Sequence, residues 1–216
     1  MGIRAGKFLL LVLLTTILAG CAATSKYFEG EMTFALDVIA KDPSFDLNSI
    51  PAAGVTSSRL TYKNGSFIQW PNGGSIEYHY FNRALNKIFY KFRDVDTLLF
   101  QDYSKLSSEL DSVLSVTTIA NVDTVLGRVC NRLVLKTRKM TLSFNYDPAL
   151  AINPDWYKNT LGGYYNIIYA NTKAVFLQFV IEGEGFISKG TATEIIQKTI
   201  PDTDFPNVDK LPKQKL

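Results

Sequence analysis

Apolar and polar residues alternate along most of the chain beyond residue 26. In residues 28–38 the even positions are Phe, Gly, Met, Phe, Leu and Val, whereas the odd positions are mostly polar. Residues 140–146 alternate in the same way. A period of two residues is typical of an antiparallel strand with one buried face. The pattern predicts further strands at 76–80, 87–92, 97–103, 116–120, 128–137, 172–182 and 186–200.

Turn sequences separate these strands. The strongest is Asn64-Gly65, because a two-residue type I′ turn needs a positive φ at both of its central positions. The hairpin that it predicts places Tyr62 opposite Phe67. The sequences PNGG at 71–74 and GEG at 183–185 predict two more reversals. The chain is therefore expected to run as a long antiparallel meander.

Helix patterns are few. Apolar residues recur at helical spacing within 104–114, which predicts one helix there. An Asn153-Pro154 start and a Gly162-Gly163 stop predict a short helix over 154–161. Two segments fit neither pattern: 41–55 is expected to be an irregular loop, and 205–216, with two prolines and three lysines, a flexible C-terminal tail.

Roughly ten strands and at most two short helices predict a mainly β protein. A sheet of this length tends to curl, split or close, and so little helix cannot cover a whole face of it. We therefore expect a strongly curved antiparallel sheet that forms an incomplete, half-open barrel. A single β domain is predicted over residues 27–204, since no linker, internal repeat or low-complexity segment interrupts that range.

The first 20 residues have the features of a signal peptide. Arg4 and Lys7 precede a 13-residue apolar stretch at 8–20, which is too short for a membrane-spanning helix. The stretch ends in Leu18-Ala19-Gly20-Cys21, which resembles the lipobox of bacterial lipoproteins. That resemblance implies cleavage before Cys21, acylation of its sulfur with chains such as palmitate, and a lipidated tether at 21–26. The alternative is an ordinary secreted protein in which Cys21 falls there by chance.

The residues after Cys21 bear on location. Position 22 is alanine and not aspartate, which by resemblance to Gram-negative lipoproteins implies sorting to the outer membrane. The protein would then face the periplasm, with the membrane as its partner through acylated Cys21. Two acyl chains or more hold a protein stably on a bilayer.

Charge and composition mainly exclude classes of function. The net charge of +3 falls to about +1 once Arg4 and Lys7 are removed, and no basic block remains, so nucleic acid is not an expected partner. One His and two Cys exclude zinc fingers, histidine triads and disulfide frameworks. With Cys21 lipidated, Cys130 has no partner in the chain. It is interpreted as a buried strand cysteine, although the flanking Arg128 and Arg132 leave open a thiol of lowered pKa.

Beyond the lipobox, the chain resembles the lipoprotein-carrier (LolA/LolB-like) superfamily and related periplasmic lipoproteins. The similarity lies in the strand LGRVCNRLVL at 126–135, in the strand at 141–146 that leads into Asp147-Pro148, and in the late strand at 191–195 that precedes the sequence DFP. It extends over most of residues 27–208. It implies a curved antiparallel half-barrel whose hydrophobic concave face holds acyl chains beneath a helical lid. The lid segments of this chain are short.

Catalytic patterns are sparse. Glu77 and His79 share one face of a strand, and an exposed surface pair is preferred over an acid–base pair. Glu182 and Glu184 fit a solvated turn better than paired glycosidase carboxylates. The sequence DVD at 94–96 lacks the other ligands of a calcium loop. The sequence therefore predicts no catalytic residue, no metal site, no cofactor and no enzyme activity.

Aromatic residues are more informative, since the chain has 14 Phe, 11 Tyr and 2 Trp. Many alternate on strands that should share one curved face. That face is either a filled core, in which case the protein is a structural or interaction lipoprotein with an unidentified protein partner, or a groove for an acyl chain or another hydrophobic ligand. The side chains expected to line the groove are Phe34, Leu36, Leu142, Phe144, Leu177, Phe179 and Ile181.

Overall fold

The computed structural model describes residues 26–50, 54–105 and 111–216. Most of these residues belong to strands, which confirms the mainly β prediction. The strands are β1 (Gly30–Ala40), β2 (Ser57–Lys63), β3 (Ser66–Asn72), β4 (Ile76–Asn82), β5 (Lys87–Phe92), β6 (Leu98–Asp102), β7 (Val113–Val125), β8 (Arg128–Thr137), β9 (Thr141–Ala151), β10 (Ala174–Glu182), β11 (Phe186–Gln197) and β12 (Lys213–Lys215).

Over the described residues these strands form one 12-stranded sheet, in the order β12-β6-β5-β4-β3-β2-β1-β11-β10-β9-β8-β7. All neighbours are antiparallel except β12, which lies parallel to β6. The strand β1 joins the two halves of the sheet, because it pairs with both β2 and β11. The chain crosses from one end of the sheet to the other between β6 and β7, and returns across it between β11 and β12. The sheet is curved and does not close into a barrel, as the sequence predicts.

The strongest predicted turn is also confirmed. Tyr62 lies directly opposite Phe67, and the hairpin between them is closed by Asn64 and Gly65 with φ values of 49° and 81°. A positive φ at both central positions is the conformation that Asn-Gly favours. The aromatic rings of Tyr62 and Phe67 stack on the same face of the sheet, with centroids 6.5 Å apart.

Of the two predicted helices, the one at 154–161 is wrong, and the one at 104–114 falls partly on residues that the structure does not describe. Within 104–114, residues 106–110 lie outside the described residues, and Val113 already begins β7. At 154–161 only one 3-10 turn forms, Pro154–Trp156, although Asn153 caps it as expected. The chain then leaves the helical path because the amides of Leu161 and Gly162 donate to the carbonyl of Tyr103. The α-helix of the described residues, α1, follows at Tyr165–Thr172; further 3-10 turns are Leu47–Ser49, Gly162–Tyr164, Asp202–Asp204 and Val208–Lys210.

Both faces of the sheet are partly covered. The larger core lies on the concave face, beneath the connection between β9 and β10 that contains α1. A smaller core, which includes Ile68 and Phe89, lies on the convex face of β3–β6. The C-terminal segment 205–216, expected to be a flexible tail, packs there instead. Val208 is buried, and Phe205 packs on Tyr80 with ring centroids 5.6 Å apart, because this second apolar face needs cover.

Candidate functional site: the concave face of the sheet

The structure places all seven predicted groove residues on the concave face. They come from β1, β9 and β10, and β11 lies between the first strand and the other two. Phe179 is directly opposite Phe144 on β9 and opposite Gly190 on β11, and Leu36 faces the same glycine from β1. The Phe179 ring lies across Gly190, so a Cβ atom at this position would require the ring to shift.

Exposure divides these seven residues into two groups. Phe34, Leu142, Phe144 and Leu177 are buried in the larger core. Leu36, Phe179 and Ile181 are only half-buried at its margin. We call these three residues the apolar rim. The concave face is therefore a filled core over most of its area, and it remains apolar where it meets solvent.

A small cavity of about 50 Å³ lies inside the rim. Its volume is that of one or two water molecules, whereas ligand pockets usually measure about 300–1,000 Å³. The cavity is bounded by two sides of the structure, the sheet and the covering connection. Its lining residues are Met32, Phe34, Leu60, Tyr62, Phe67, Gln69, Tyr165, Tyr169, Val175, Phe176 and Phe179.

The cover over this cavity is the β9–β10 connection, residues 152–173, which we call the flap. Its inner surface is aromatic: Tyr157 stacks against Tyr169 with ring centroids 4.2 Å apart, and Tyr165 packs edge-on against Phe81. The Tyr157 hydroxyl bonds to that of Tyr62 and donates to the Gly65 carbonyl. Burial raises the pKa of all these tyrosines, so the hydroxyls stay protonated.

The two ends of the flap lie side by side. The amide of Ile152 donates to the carbonyl of Lys173 over 2.9 Å. The helix α1 is flanked by Tyr164 and Lys173, both in the left-handed region with φ values of 59° and 51°. Residues other than glycine adopt this conformation at a cost of about 1–2 kcal/mol each. The flap therefore leaves and rejoins the sheet at one place, and its far side is held by the hydrogen bonds to Tyr62, Gly65 and Tyr103.

The interpretation of Glu77 and His79 as an exposed pair is wrong. Both residues are half-buried, and Glu77 is 3.4 Å from Lys91 and forms an ion pair with it. His79 lies on the concave side between Phe67 and Tyr90, with ring centroids 6.4 and 6.1 Å away. Desolvation there lowers its pKa from 6.5 to about 4. The imidazole is therefore neutral at physiological pH.

Cys130 lies in the core, as its strand position predicts. Its side chain is completely buried, and its thiol donates weakly to the carbonyl of Arg128 over 3.4 Å. Burial raises the pKa of this thiol, and the nearby Arg128 only partly offsets that effect. The alternative of a reactive thiol activated by neighbouring arginines therefore finds no support in its surroundings.

The remaining carboxylate groups that the sequence singles out are exposed. Glu182 lies 3.7 Å from Lys41 on the surface, and Glu184 is in the exposed turn that follows. Asp94 and Asp96 are also exposed. In the described ranges no group of three or more His, Cys, Asp or Glu side chains could hold a metal ion. The same part of the chain has no helix long and apolar enough to cross a membrane.

A row of polar side chains on the convex face is not among the residues predicted from the sequence. Asn145 is buried there, accepts from Arg132 and donates to both Asp123 and Gln178. Gln178 in turn donates to Thr191 over 3.1 Å. Asn145 follows Thr141 and Ser143 at the polar positions of β9, so alternation there could have indicated part of the row, whereas Gln178 stands alone in the apolar strand AVFLQFVIE. Its donors and acceptors satisfy one another, and it links β11, β10, β9, β8 and β7.

Comparisons with known proteins find only distant structural likeness. No protein-family model matches the chain, and no curated protein does. Among solved structures, PNGF-II matches with a TM-score of 0.42 at 10% identity over 87% of this chain, which spans 31% of the PNGF-II chain. The Mycobacterium tuberculosis lipoprotein LppX matches with a TM-score of 0.37 at 8% identity, over 80% of this chain and 89% of LppX. At these values neither structure assigns the chain to a family.

Proposed function

We propose that this protein is a lipoprotein anchored in the outer membrane through acylated Cys21, with its β domain in the periplasm, and that the domain binds acyl chains or another hydrophobic ligand without covalent chemistry. The observation that carries the proposal is the apolar rim. Its three residues, Leu36, Phe179 and Ile181, are half-buried apolar side chains, and Phe179 also lines the cavity beneath the flap. The anchor rests on the lipobox in the sequence.

Binding a chain requires the flap to move. The cavity of about 50 Å³ holds only a small fraction of an acyl chain. The flap is held mainly by aromatic packing and by a few hydrogen bonds, such as those of Leu161 and Gly162 to Tyr103. An acyl chain that displaced the flap would bury its own apolar surface where the tyrosine side chains now lie. Burial of that surface stabilises the complex by about 25 cal/mol per Å². Because the two ends of the flap lie side by side, the flap can move about them once the hydrogen bonds to Tyr103 and Gly65 break.

The buried part of the concave face favours a second function. Phe34, Phe144 and Leu177 fill the interior as an ordinary core does. If the flap does not move, the domain is a structural or interaction module that binds a partner protein in the cell envelope. Saturable binding of a fluorescent fatty acid distinguishes the two functions, because only the first provides an apolar site for it.

The anchor is tested by Cys21→Ser. We expect the variant to fold, because the described core spans Phe28 to Val208 and does not include residue 21. We also expect it to move from the membrane fraction to the soluble fraction and to lose metabolic labelling with palmitate. Wild-type protein that is soluble, or that is not labelled, would contradict the anchor while leaving ligand binding to be judged separately.

A further inference from the structure

The two edges of the sheet differ in whether another segment of the chain covers them. At one edge, β6 is covered by the C-terminal strand β12. The amide of Leu98 donates to the carbonyl of Pro212 over 2.8 Å, and the amide of Leu216 donates to that of Phe100 over 2.9 Å. The last residues of the chain thus satisfy an edge that would otherwise expose a row of unpaired backbone groups.

The other edge is β7, and no strand of the described residues covers its outer side. It has 13 residues and is among the longest strands of the sheet. Three of its apolar side chains are exposed, Leu114 at 62%, Val116 at 38% and Ile119 at 45%. A long exposed edge with apolar side chains is a template for pairing with another strand.

Residues 112–122 lack two of the features that usually protect such an edge, charged side chains and proline. The segment SVLSVTTIANV contains no charged residue and no proline, and it is rich in the β-branched residues that favour strands. Its pairing with β8 shifts register twice, between Val113 and Ser115 and between Ile119 and Asp123, where φ of Asn121 is 53°, so the regular edge is Ser115–Ile119. The regular edge therefore ends before Asp123, and that carboxylate is held within the chain by Asn145 and Arg132.

We propose that β7 pairs antiparallel with β7 of a second copy of this chain, about a twofold axis at Thr117, the centre of the uncharged segment. This pairing sets Val116 opposite Thr118 and Ser115 opposite Ile119. Each such pair has both members on the same face, as an isologous sheet edge requires. No charged side chain meets a like charge within the segment. Because the segment is uncharged, it has no electrostatic attraction for an acidic or a basic strand. A second copy presents the same uncharged segment, and it is therefore the favoured occupant.

The proposal is tested by cysteine crosslinking of the full chain in isolated membranes. Thr117→Cys is made in a Cys130→Ser background, so that Cys21, if it is not acylated, is the single other thiol. Directly opposed residues of an antiparallel pair have Cα atoms about 4.5–5.5 Å apart, within the range of a disulfide. After mild oxidation we expect a product of twice the chain mass that disappears on reduction.

Ile196→Cys in the same background is the matched control. Ile196 is similarly exposed, at 41%, but lies on β11 in the middle of the sheet. We expect it, and the Cys130→Ser parent, to give at most a tenth of the Thr117→Cys dimer. Equal crosslinking at both positions, no dimer at Thr117→Cys, or a product with the mass of a different protein would overturn the proposal. None of these outcomes depends on whether the concave face binds a ligand.

Discussion

Phe144→Asp is expected to unfold the domain, whereas Phe179→Asp is expected to leave it folded. Phe144 is 5% exposed, and its ring packs against Phe176 with centroids 5.2 Å apart. Removal of a buried Phe side chain alone costs about 3–5 kcal/mol, and an unpaired buried carboxylate adds several more. Domains have a total free energy of unfolding of about 5–15 kcal/mol, so the substitution removes a comparable amount of stability.

Phe179 differs because it belongs to the apolar rim and is only half-buried. A carboxylate at this position can turn towards solvent, so we expect a loss of at most about 3 kcal/mol. Thermal unfolding of both variants, followed by circular dichroism, checks the pair. A folded Phe144→Asp protein would show that the concave face is open there, and an unfolded Phe179→Asp protein would show that the rim is part of the core.

Acid is expected to destabilise the protein through His79. The unfolded chain takes up a proton near pH 6.5, whereas the folded protein resists protonation until about pH 4. The free energy of unfolding contributed by His79 is therefore fully present above pH 6.5 and is lost as the pH falls towards 4. The full pKa shift corresponds to about 3 kcal/mol, of which about 2 kcal/mol should be lost between pH 7 and pH 4.5.

His79→Gln isolates this effect from the other titrating groups. Urea unfolding at pH 7 and at pH 4.5 gives the loss of stability for each protein. The carboxylates contribute to both losses, and their contribution cancels in the difference. We expect wild type to lose about 2 kcal/mol more than the variant. Equal losses would mean that the imidazole is hydrated and does not lie in the desolvated position between Phe67 and Tyr90.

The sheet and its concave residues follow from the sequence because alternation assigns each side chain to one of two faces. Phe34, Phe144 and Phe179 were expected on one surface, and they lie there. Alternation also places His79 on the opposite face of β4 from Tyr78 and Tyr80. It does not say which face is concave, because both faces of β3–β6 are apolar: Phe67 and Phe81 lie on one side and Ile68 and Phe89 on the other. For this reason the prediction that His79 lies on the solvent-exposed face is wrong.

The degree of burial within the concave face could not be predicted, since it depends on the flap. The helix α1 consists of YNIIYANT, in which aromatic and aliphatic residues do not form a clear stripe. The stronger local signals, Asn153-Pro154 and Gly162-Gly163, indicate a helix that begins about three turns before α1 does. Hydrogen bonds from the flap to Tyr103 decide where the chain goes, and such long-range contacts leave no local pattern.

The most direct measurement of ligand binding is a titration of residues 26–216, which contain the whole described core, with a fluorescent fatty acid. We expect saturable binding of one probe per chain. Phe179→Asp should weaken it at least about tenfold, which corresponds to about 1.4 kcal/mol. Ile196→Asp, a similar exposed apolar position on the convex face, should bind as wild type does. Wild-type protein that binds no probe, or equal weakening by both substitutions, would contradict a ligand site beneath the flap.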